Sequence, residues 1–484
     1  MLRKKNLLLI LIALVVLISI PAAYFASKIY QYNVQHWFPQ YIIETIDGRY
    51  SEDRLSQVEH IMFIIVDHHE PGCNQKDIDF SKNWVERYSE NVQGITDDYG
   101  RKFQYTWFYP WDHRCEVVMY NLNSMVFDDY GEIEFHWHHG NDTNESFTAK
   151  LDDGIKWFNS FGALRPVGES VKPQFAFIHG NWALDNSTTE KHCGVNREID
   201  ILQRAGSYAD FTFSTLSTMA QPAMFNRIYY AIDSDSNKSY DTGEEASKNV
   251  QGAGYMIFQG PSSFDPTDLR FEVGALEKKS HYKPHRSDLW LRHSSFVKGK
   301  PEWRFIKVHT HGITASNVIL GKELHQMASD LSKLAKGHGA KLHYVTTREA
   351  YNLVKAAEAG ASGDPHDLLD FNLLPPLNKF VNLSQRFEDI SYSKDHIYLQ
   401  RSEHRYTTIK FKSHPVLIEV SGEILSLSYQ ANDGHSPSMQ ITATSTVTIK
   451  AKDPINFLAQ VVRENEKNNE IIYTIHRDKV TNRR

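Results

Sequence analysis

The chain has little cysteine: Cys73, Cys115 and Cys193 are the three among 484 residues. Three cysteines allow one disulfide and one spare thiol, and their spacing matches no zinc-binding sequence motif. Free buried thiols are the alternative to a disulfide. The sequence therefore excludes a linear zinc motif and leaves the oxidation state of these residues open.

The chain also lacks an excess of positive charge. It carries 53 Lys and Arg against 59 Asp and Glu, a formal net charge of −6. This balance provides no basic surface for nucleic acid, and no internal repeat is evident. Hydrophobic residues make up 41% and aromatic residues 12%, which is typical of a packed globular protein. A chain this long is expected to form more than one domain.

One long apolar run is present at the N-terminus. Residues 7–26 are almost all apolar and follow Arg3, Lys4 and Lys5. About 20 apolar residues, at a rise of about 1.5 Å each, span a bilayer core of about 30 Å. The cations before the run predict a cytoplasmic N-terminus and an exported remainder. We therefore expect residues 1–30 to be a single-pass signal anchor, with a signal peptide cleaved near residues 21–27 as the alternative.

Residues 31–57 are polar with scattered aromatic residues, and we expect a stalk. Residues 58–362 then alternate strand-like with helix-like segments, which favours parallel βαβ units and an α/β fold of the distorted (β/α)7 barrel type. The predicted strands are residues 60–66, 103–109, 132–138, 174–178, 209–213, 305–308 and 341–346. The predicted helices are residues 81–90, 149–161, 195–205, 316–336 and 348–359.

The C-terminal part has a different pattern. Residues 363–384 contain Gly363-Asp364-Pro365 and Pro375-Pro376, and we expect a linker. Short alternating segments without helical periodicity follow and predict an all-β, sandwich-like accessory domain at residues 385–484. Its histidines are scattered, so we expect no catalytic residues there. A cut after about residue 363 is expected to leave the barrel's chemistry intact.

Histidines cluster where three predicted strands end: in residues 66–71 (Val-Asp-His-His-Glu-Pro), 136–139 (His-Trp-His-His) and 309–312 (His-Thr-His-Gly). The carboxyl ends of barrel strands carry the active site, and imidazoles that converge there with a carboxylate favour a transition-metal site. The chain has 24 His, so their position rather than their number supports this prediction.

Strand alternation predicts which side chains converge. Glu134, His136 and His138 share one face of a strand whose other face is apolar. Lys307, His309 and His311 repeat this pattern in a later strand. Helices cover the outside of a parallel barrel, so both polar faces are expected to point inward. Buried polar residues of this kind are costly unless a site satisfies them.

His136 and His138 are spaced to hold one metal, and His139 could supply a third contact. The alternative is a hydrogen-bonding network without metal. His309 and His311 could be a second ligand pair, a proton donor or a substrate contact.

Other polar residues at strand ends are candidates for substrate binding. Asp67 follows a continuous apolar strand and could be a general base, a metal ligand or only the cap of the next turn. Further along, His179 and Asn181 are interpreted as substrate contacts and Trp182 as a platform for stacking a sugar, with a core role for Trp182 as the alternative. Asp210 is a possible secondary carboxylate.

Several of these segments together resemble the bacterial polysaccharide deacetylase class, the NodB-homology group known as carbohydrate esterase family 4. The resemblance covers about residues 58–360. It rests on Asp67-His68, His136-Trp-His138-His139, Phe177-Ile-His179-Gly-Asn181-Trp182, Cys193-Gly-Val195, Tyr208-Ala-Asp210-Phe-Thr212 and Val308-His309-Thr-His311-Gly312. It implies a distorted seven-stranded barrel and a divalent metal, usually zinc, that activates water against an N-acetyl carbonyl.

The sequence departs from that family at three motifs. His68 stands where members carry the second Asp of an Asp-Asp pair. Gly140 stands where the second His of the His-Ser/Thr-x-x-His motif is expected, and the Arg-containing third motif is not recognisable.

The first hypothesis is a metal-dependent carbohydrate N-deacetylase, anchored in the bacterial cytoplasmic membrane with its catalytic domain exported. The cofactor is expected to be a divalent metal, with Zn²⁺ favoured, and the substrate an N-acetylated polysaccharide. The expected metal ligands are His68, His136, His138 and His139; the expected catalytic residues are Asp67 as base and His309 or His311 as acid; the expected substrate contacts are His179, Asn181, Trp182 and Asp210.

Two alternatives remain at this point. One is a glycoside hydrolase that uses two carboxylates, Asp67 with Asp210 or Glu134, and needs no metal. The other is a degenerate deacetylase that only binds glycans.

Overall fold

We describe the fold from a computed structural model, which describes residues 19, 23–24, 27–167, 170–392, 396–403, 405–413, 416–432, 435–443, 447–451, 456–457, 463–467 and 470–475. Apart from Ser19, Ala23 and Tyr24, the apolar run at residues 7–26 lies outside this set. Within the set, no helix has the length and apolar character needed to cross a membrane. The membrane anchor stays a prediction.

The first unit is an α/β structure built on a parallel sheet. Seven parallel strands lie in the order β13-β1-β2-β3-β5-β6-β9, and β7, β8 and β12 extend the sheet in antiparallel orientation. The strands are β1 (His60–His68), β2 (Tyr105–Pro110), β3 (Gly131–Trp137), β4 (Arg165–Val167), β5 (Ser170–His179), β6 (Ser207–Asp210), β7 (Ile228–Ala231), β8 (Glu244–Glu245), β9 (Tyr255–Phe258), β10 (Ser263–Asp265), β11 (Arg270–Glu272), β12 (Ser295–Val297), β13 (Lys300–Thr310) and β14 (Lys341–Tyr344).

Helices follow most of the parallel strands. They are α1 (Phe38–Ile46), α2 (Glu52–Leu55), α3 (Gln75–Asn91), α4 (Glu116–Phe127), α5 (Asn144–Asn159), α6 (Glu198–Ala205), α7 (His285–Arg292), α8 (Ser316–Ile319), α9 (Lys322–His338) and α10 (Thr347–Glu358). Capping boxes from Thr143 and Thr346 begin α5 and α10, and left-handed Gly206 and Gly339 end α6 and α9.

The sheet has an inner and an outer core. Alternate residues of β1 divide between them: Met62, Ile64 and Val66 belong to one apolar cluster and Ile61, Phe63 and Ile65 to the other. The first cluster, the inner core, also takes side chains from β9 and β13, whose Phe258 and Phe305 rings lie 5.7 Å apart. The sheet therefore curves until its two ends approach each other, and α3 to α6 cover the outer core.

The predicted inward faces of β3 and β13 are confirmed. Ile133, Phe135 and Trp137 lie in the outer core, as do Ile306 and Val308. Glu134 and Lys307 point to the other side, where Glu134 accepts hydrogen bonds from Tyr208 and Ala176, and Lys307 donates to the carbonyls of Phe211 and Phe213. Strand alternation alone was sufficient to assign these faces.

The strand predicted at residues 341–346 is present as β14 but lies off the main strand order. As β14 it pairs with the first half of β1, and β2 pairs with the last three residues of β1. The seventh strand of the parallel series is instead β9, a segment of four residues between turn-rich stretches.

Residues 31–57, predicted as a stalk, pack against the first unit. Trp37 is buried, stacks on Phe225 at 5.0 Å and donates its indole N–H to the carbonyl of Leu216. Glu44 forms an ion pair with Arg227 at 2.6 Å. The aromatic residues that marked this segment in the sequence are its anchoring contacts.

The second unit is antiparallel except for the parallel pair β20–β22. Its strands are β15 (Val381–Leu383), β16 (Asp389–Tyr392), β17 (His396–Gln400), β18 (Tyr406–Ser413), β19 (Val416–Asn432), β20 (His435–Ala443), β21 (Val447–Ala451), β22 (Asn456–Phe457), β23 (Arg463–Lys467) and β24 (Glu470–Ile475). The first part of β19 pairs with β18 and β21, and the second part pairs with β17 and β20. One strand of 17 residues thus belongs to two layers, which enclose a separate apolar core.

The segment between the units is packed. Leu369 and Leu373 belong to the inner core of the first unit, where Arg348 donates to both of their carbonyls. The next buried residue, Leu377, belongs to the core of the second unit. The boundary between the two cores therefore lies between residues 373 and 377.

Candidate metal centre

Four histidines and one glutamate converge at the carboxyl ends of β1, β3 and β13. We call His68, Glu70, His136, His138 and His311 the histidine cage. Glu70 is central: its Oε1 lies 3.0 Å from Nε2 of His136, 3.2 Å from Nε2 of His138 and 4.0 Å from Nδ1 of His68. The His68 ring lies 4.7 Å from that of His136 and 4.6 Å from that of His311. The structure therefore brings together four predicted ligands or acids from distant parts of the chain.

Three of the four rings are each oriented by an oxygen acceptor at Nδ1. Nδ1 of His136 lies 3.0 Å from the carbonyl of Ile178, Nδ1 of His138 lies 3.1 Å from Asp112 Oδ2, and Nδ1 of His311 lies 2.8 Å from Glu277 Oε1. These oxygens can only accept, so each Nδ1 carries the proton. Metal-binding histidines usually show this arrangement, which fixes the tautomer and frees Nε2 for the metal.

His136 and Glu70 show why the cage fits a cation. Burial lowers the pKa of His136 and favours the neutral ring. A neutral ring that donates from Nδ1 presents the Nε2 lone pair to the carboxylate oxygen 3.0 Å away. Two acceptors at that distance repel each other unless a cation interacts with both. The buried Nδ1 of His68 also lacks a hydrogen-bond partner.

The cage is closed on one side and open on the other. His68 and His136 are buried, whereas the side chains of Glu70, His138 and His311 are 23%, 26% and 25% exposed. Burial opposes the charged form of His138, but hydrogen bonds with Asp112 and Glu70 raise its pKa to about 9. A metal bound at the cage would therefore replace the proton on Nε2 of this ring. The open side gives a small molecule access, which is the property of a catalytic rather than a structural metal site.

Asp67, the predicted base, lies behind the cage. Its Oδ2 is 2.8 Å from Nδ1 of His69, and its Oδ1 accepts the amide of Gly312 at 2.5 Å. The carboxylate is fully buried, and a Cβ added at Gly312 would lie 2.5 Å from it. Asp67 is thus hydrogen-bonded into the turn that follows β13.

His139, His179 and Asn181 are also directed away from the cage. Both histidines lie on the outer-core side of β3 and β5, and their rings are 4.5 Å apart. Asn181 donates its side-chain amide to the carbonyl of His139 at 2.9 Å. These predicted ligand and substrate residues therefore form a group of their own.

Trp182 is the predicted substrate residue that lies at the cage. Its ring is 5.9 Å from that of His68 and 6.1 Å from that of His311. It adopts a positive φ of 51°, which is uncommon outside glycine and often marks a functional position. The strained backbone places an indole at the open side of the cage.

His309 and Asp210 do not join the cage. Within the described residues, neither His309 nor Asp210 belongs to a group of three or more metal-ligating atoms. Asp210 is buried and accepts hydrogen bonds from the amide and hydroxyl of Thr212. The carboxylates considered for a two-carboxylate hydrolase, Asp67, Asp210 and Glu134, are all fully buried.

A cleft of about 950 Å³ adjoins the cage; it is lined by the cage residue His138 and by Asp112, which orients that ring. Trp111, Trp157 and Arg114 line the cleft on the first unit, and Arg386 and Glu388 line it on the second. The mixture of aromatic and charged side chains suits a polar ligand with apolar faces.

Three cage or supporting residues were missed in the sequence. Glu70 follows His68 by two residues, so the alternation that placed His136 and His138 together could have found it. Asp112 follows β2 and Glu277 lies in an irregular segment, and neither has a local pattern that marks it.

Comparisons with known proteins assign no family. No family model and no curated protein matches the chain. Among solved structures, the chain is similar to TK1436, a GH57 branching enzyme from the hyperthermophilic archaeon Thermococcus kodakaraensis, in complex with glucose. The identity is 11%, the match covers 59% of this chain and 70% of that chain, and the TM-score is 0.28. A likeness of this size does not assign the chain to a fold family.

Proposed function

We propose that the histidine cage holds a divalent metal, with zinc favoured, and that the protein is a hydrolase that removes N-acetyl groups from an exported polysaccharide. The observation that carries the proposal is the pairing of Nδ1-anchored histidines with Glu70. The proposal interprets the curved parallel sheet as a distorted (β/α)7 barrel, with the cage at its carboxyl-terminal rim.

His68, Glu70, His136 and His138 would be the ligands. Their donor set of imidazoles and one carboxylate suits zinc and other first-row metals. Asp112 and Ile178 would hold two of these rings in place. When bound, such a metal supplies Lewis-acid activation of water and of the amide carbonyl.

His311 and Glu277 would form the acid–base pair. Glu277 accepts hydrogen bonds from both the amide and Nδ1 of His311, so the ring is fixed with Nε2 free. His311 is at the open side, where it can take a proton from the attacking water and give it to the departing amine. Asp67, enclosed behind the cage, would act as a positioning residue for the turn at Gly312.

The substrate would approach along the cleft beside His138. Trp182 and the indoles that line the cleft offer apolar faces of the kind that pack on sugar rings, and Arg114 and Arg386 offer hydrogen-bond donors. A disulfide between Cys73 and Cys115 supports an exported location, since disulfides persist in oxidising compartments. We further propose that residues 7–26 anchor the chain in the cytoplasmic membrane.

Metal analysis and acetate release on the full-length chain test the proposal. His136→Ala should lose one metal equivalent and at least a hundredfold in acetate release from N-acetylated envelope polysaccharides. His325→Ala is the control, because this exposed ring bonds Asn91 and lies outside the cage.

Three outcomes would contradict the proposal. Unchanged metal content in His136→Ala would remove the ligand assignment. Metal-independent release of reducing sugars would favour the glycoside hydrolase. Glycan binding with no acetate release under several divalent metals would favour a binding protein.

A further inference from the structure

A second group of potential metal ligands lies next to the cage, on the outer-core side of the sheet. His139 and His179 follow β3 and end β5, Cys193 is in the loop before α6, and Glu198 begins α6. One ligand atom of each lies within 4.8 Å of the others, and all four side chains are buried. Glu198 is central, with Oε1 3.1 Å from Nε2 of His139 and Oε2 3.2 Å from Sγ of Cys193.

The backbone around Cys193 offers N–H donors that would stabilise a metal-bound thiolate. The amides of Asn186 and Val195 donate to its Sγ at 3.3 and 3.4 Å. The tight turn requires Gly194, which has a φ of +92° and whose added Cβ would lie 2.5 Å from a carbonyl oxygen. N–H donors stabilise sulfur more strongly when it is charged. Without a metal, the Cys193 thiol donates to Glu198 Oε2 at 3.2 Å, and a metal ion would replace that proton and bind both groups.

His139 and His179 are not equally well arranged to bind a metal. Nδ1 of His139 lies 3.4 Å from Asp142 Oδ2 without a hydrogen bond between them, and its Nε2 faces Glu198 Oε1 at 3.1 Å. Nε2 of His179 is buried without a hydrogen-bond partner and lies 3.8 Å from Glu198 Oε1. However, backbone amides of Asn181 and Ala183 approach its Nδ1 at 3.2 and 3.4 Å, so this ring must change tautomer to bind a metal. We therefore regard His179 as the weakest of the four ligands.

We propose that His139, Cys193 and Glu198, with His179 as the fourth ligand, form a closed structural zinc site. Four buried protein ligands would leave no open position, as in structural zinc sites, whereas the histidine cage is open on one side and lacks sulfur. His138 and His139 are adjacent, so this metal would fix the turn that also carries a cage ligand. The inference does not depend on the activity proposed for the cage.

The sulfur ligand makes the second site distinguishable in the wild-type chain. X-ray absorption at the zinc edge of the full-length protein should show a sulfur neighbour at about 2.3 Å in addition to nitrogen and oxygen. Cobalt substitution should give a thiolate-to-metal charge-transfer absorption in the near ultraviolet. Zinc with nitrogen and oxygen neighbours alone, or cobalt protein without this band, would overturn the proposal.

Single-residue variants then assign the charge-transfer band and each metal equivalent to one of the two sites. Cys193→Ser should lose the charge-transfer band and one of two metal equivalents, whereas His136→Ala should lose the other equivalent and keep the band. His179→Ala should weaken zinc affinity less than Cys193→Ser does. If Cys193→Ser is folded by circular dichroism and retains the wild-type metal content, the site is a thiol–carboxylate hydrogen bond instead. A wild-type protein that binds a single metal equivalent and shows the band would contradict only the function proposed for the cage.

Discussion

Asp67 and His68 are neighbours in β1 whose side chains have separate surroundings. The His68 ring contacts the rings of His136 and His311 in the cage. The Asp67 carboxylate binds the His69 ring and the Gly312 amide behind it. Because alternate residues of a strand point to opposite faces, two adjacent residues at this strand end take different roles.

This relationship predicts that Asp67→Asn acts mainly on stability. An amide can replace only part of a carboxylate that accepts two hydrogen bonds, so we expect a loss of about 2 kcal/mol in the free energy of unfolding. Metal content should remain at the wild-type level, measured on the same samples. His68→Ala should show the reverse pattern. An Asp67→Asn protein of wild-type stability that has lost all acetate release would instead identify Asp67 as the base.

Stability should fall between pH 7.5 and pH 5 because of His293. Burial lowers its pKa to about 4, below the unfolded value of about 6.5. Over this range the unfolded chain binds a proton that the folded chain does not, so stability is complete above pH 6.5 and is lost towards pH 4. The contribution is about 2 kcal/mol, measurable by urea unfolding at both pH values.

His293→Gln should remove this part of the pH dependence. The exposed His325→Gln is its control and should behave as wild type. Equal slopes in wild type and His293→Gln would refute the prediction.

Reduction of the Cys73–Cys115 disulfide should weaken the cage. The bond joins positions 42 residues apart and constrains the loop that carries Glu70. Its loss should lower the free energy of unfolding by about 4 kcal/mol on the chain-entropy account. Metal affinity should fall as well, because Glu70 is three residues from Cys73. Thermal unfolding and metal titration with and without reductant measure both effects. The Cys73→Ser/Cys115→Ser double variant should be insensitive to reductant, and a wild-type Tm in that variant would contradict the prediction.

The residue at which the chain is truncated should determine whether the first unit stays folded. A chain that ends at residue 363 loses Leu369 and Leu373 from the inner core, and each such loss costs about 2–5 kcal/mol. It also leaves buried Arg348 without three oxygen acceptors. A chain that ends at residue 376 keeps these contacts and should retain the cage metal. Equal stability of the two truncated proteins, compared by urea unfolding, would show that the segment is a free linker.

Sequence patterns predicted the structure correctly where interactions within one strand determine it. Alternation in β3 and β13 assigned the inward faces because burial repeats every second residue. The same rule applied to β1 would have selected Glu70 and placed Asp67 apart from it. The four residues of β9 were missed because so short a segment carries no periodicity.

The contacts of Glu277, Cys193 and Glu198 could not be predicted from local patterns. Each becomes a candidate only when the fold brings it to histidines from other strands. The cysteine spacing excluded a linear zinc motif, and that exclusion does not extend to ligands assembled from separate loops.

The 17-residue strand β19 determines how the second unit can come apart. Both layers hydrogen-bond to this one backbone, so neither can separate without exposing strand edges in the other. A single proteolytic cut within residues 416–432 would therefore disrupt both layers at once. Because both layers share β19, we expect neither layer to fold without the other.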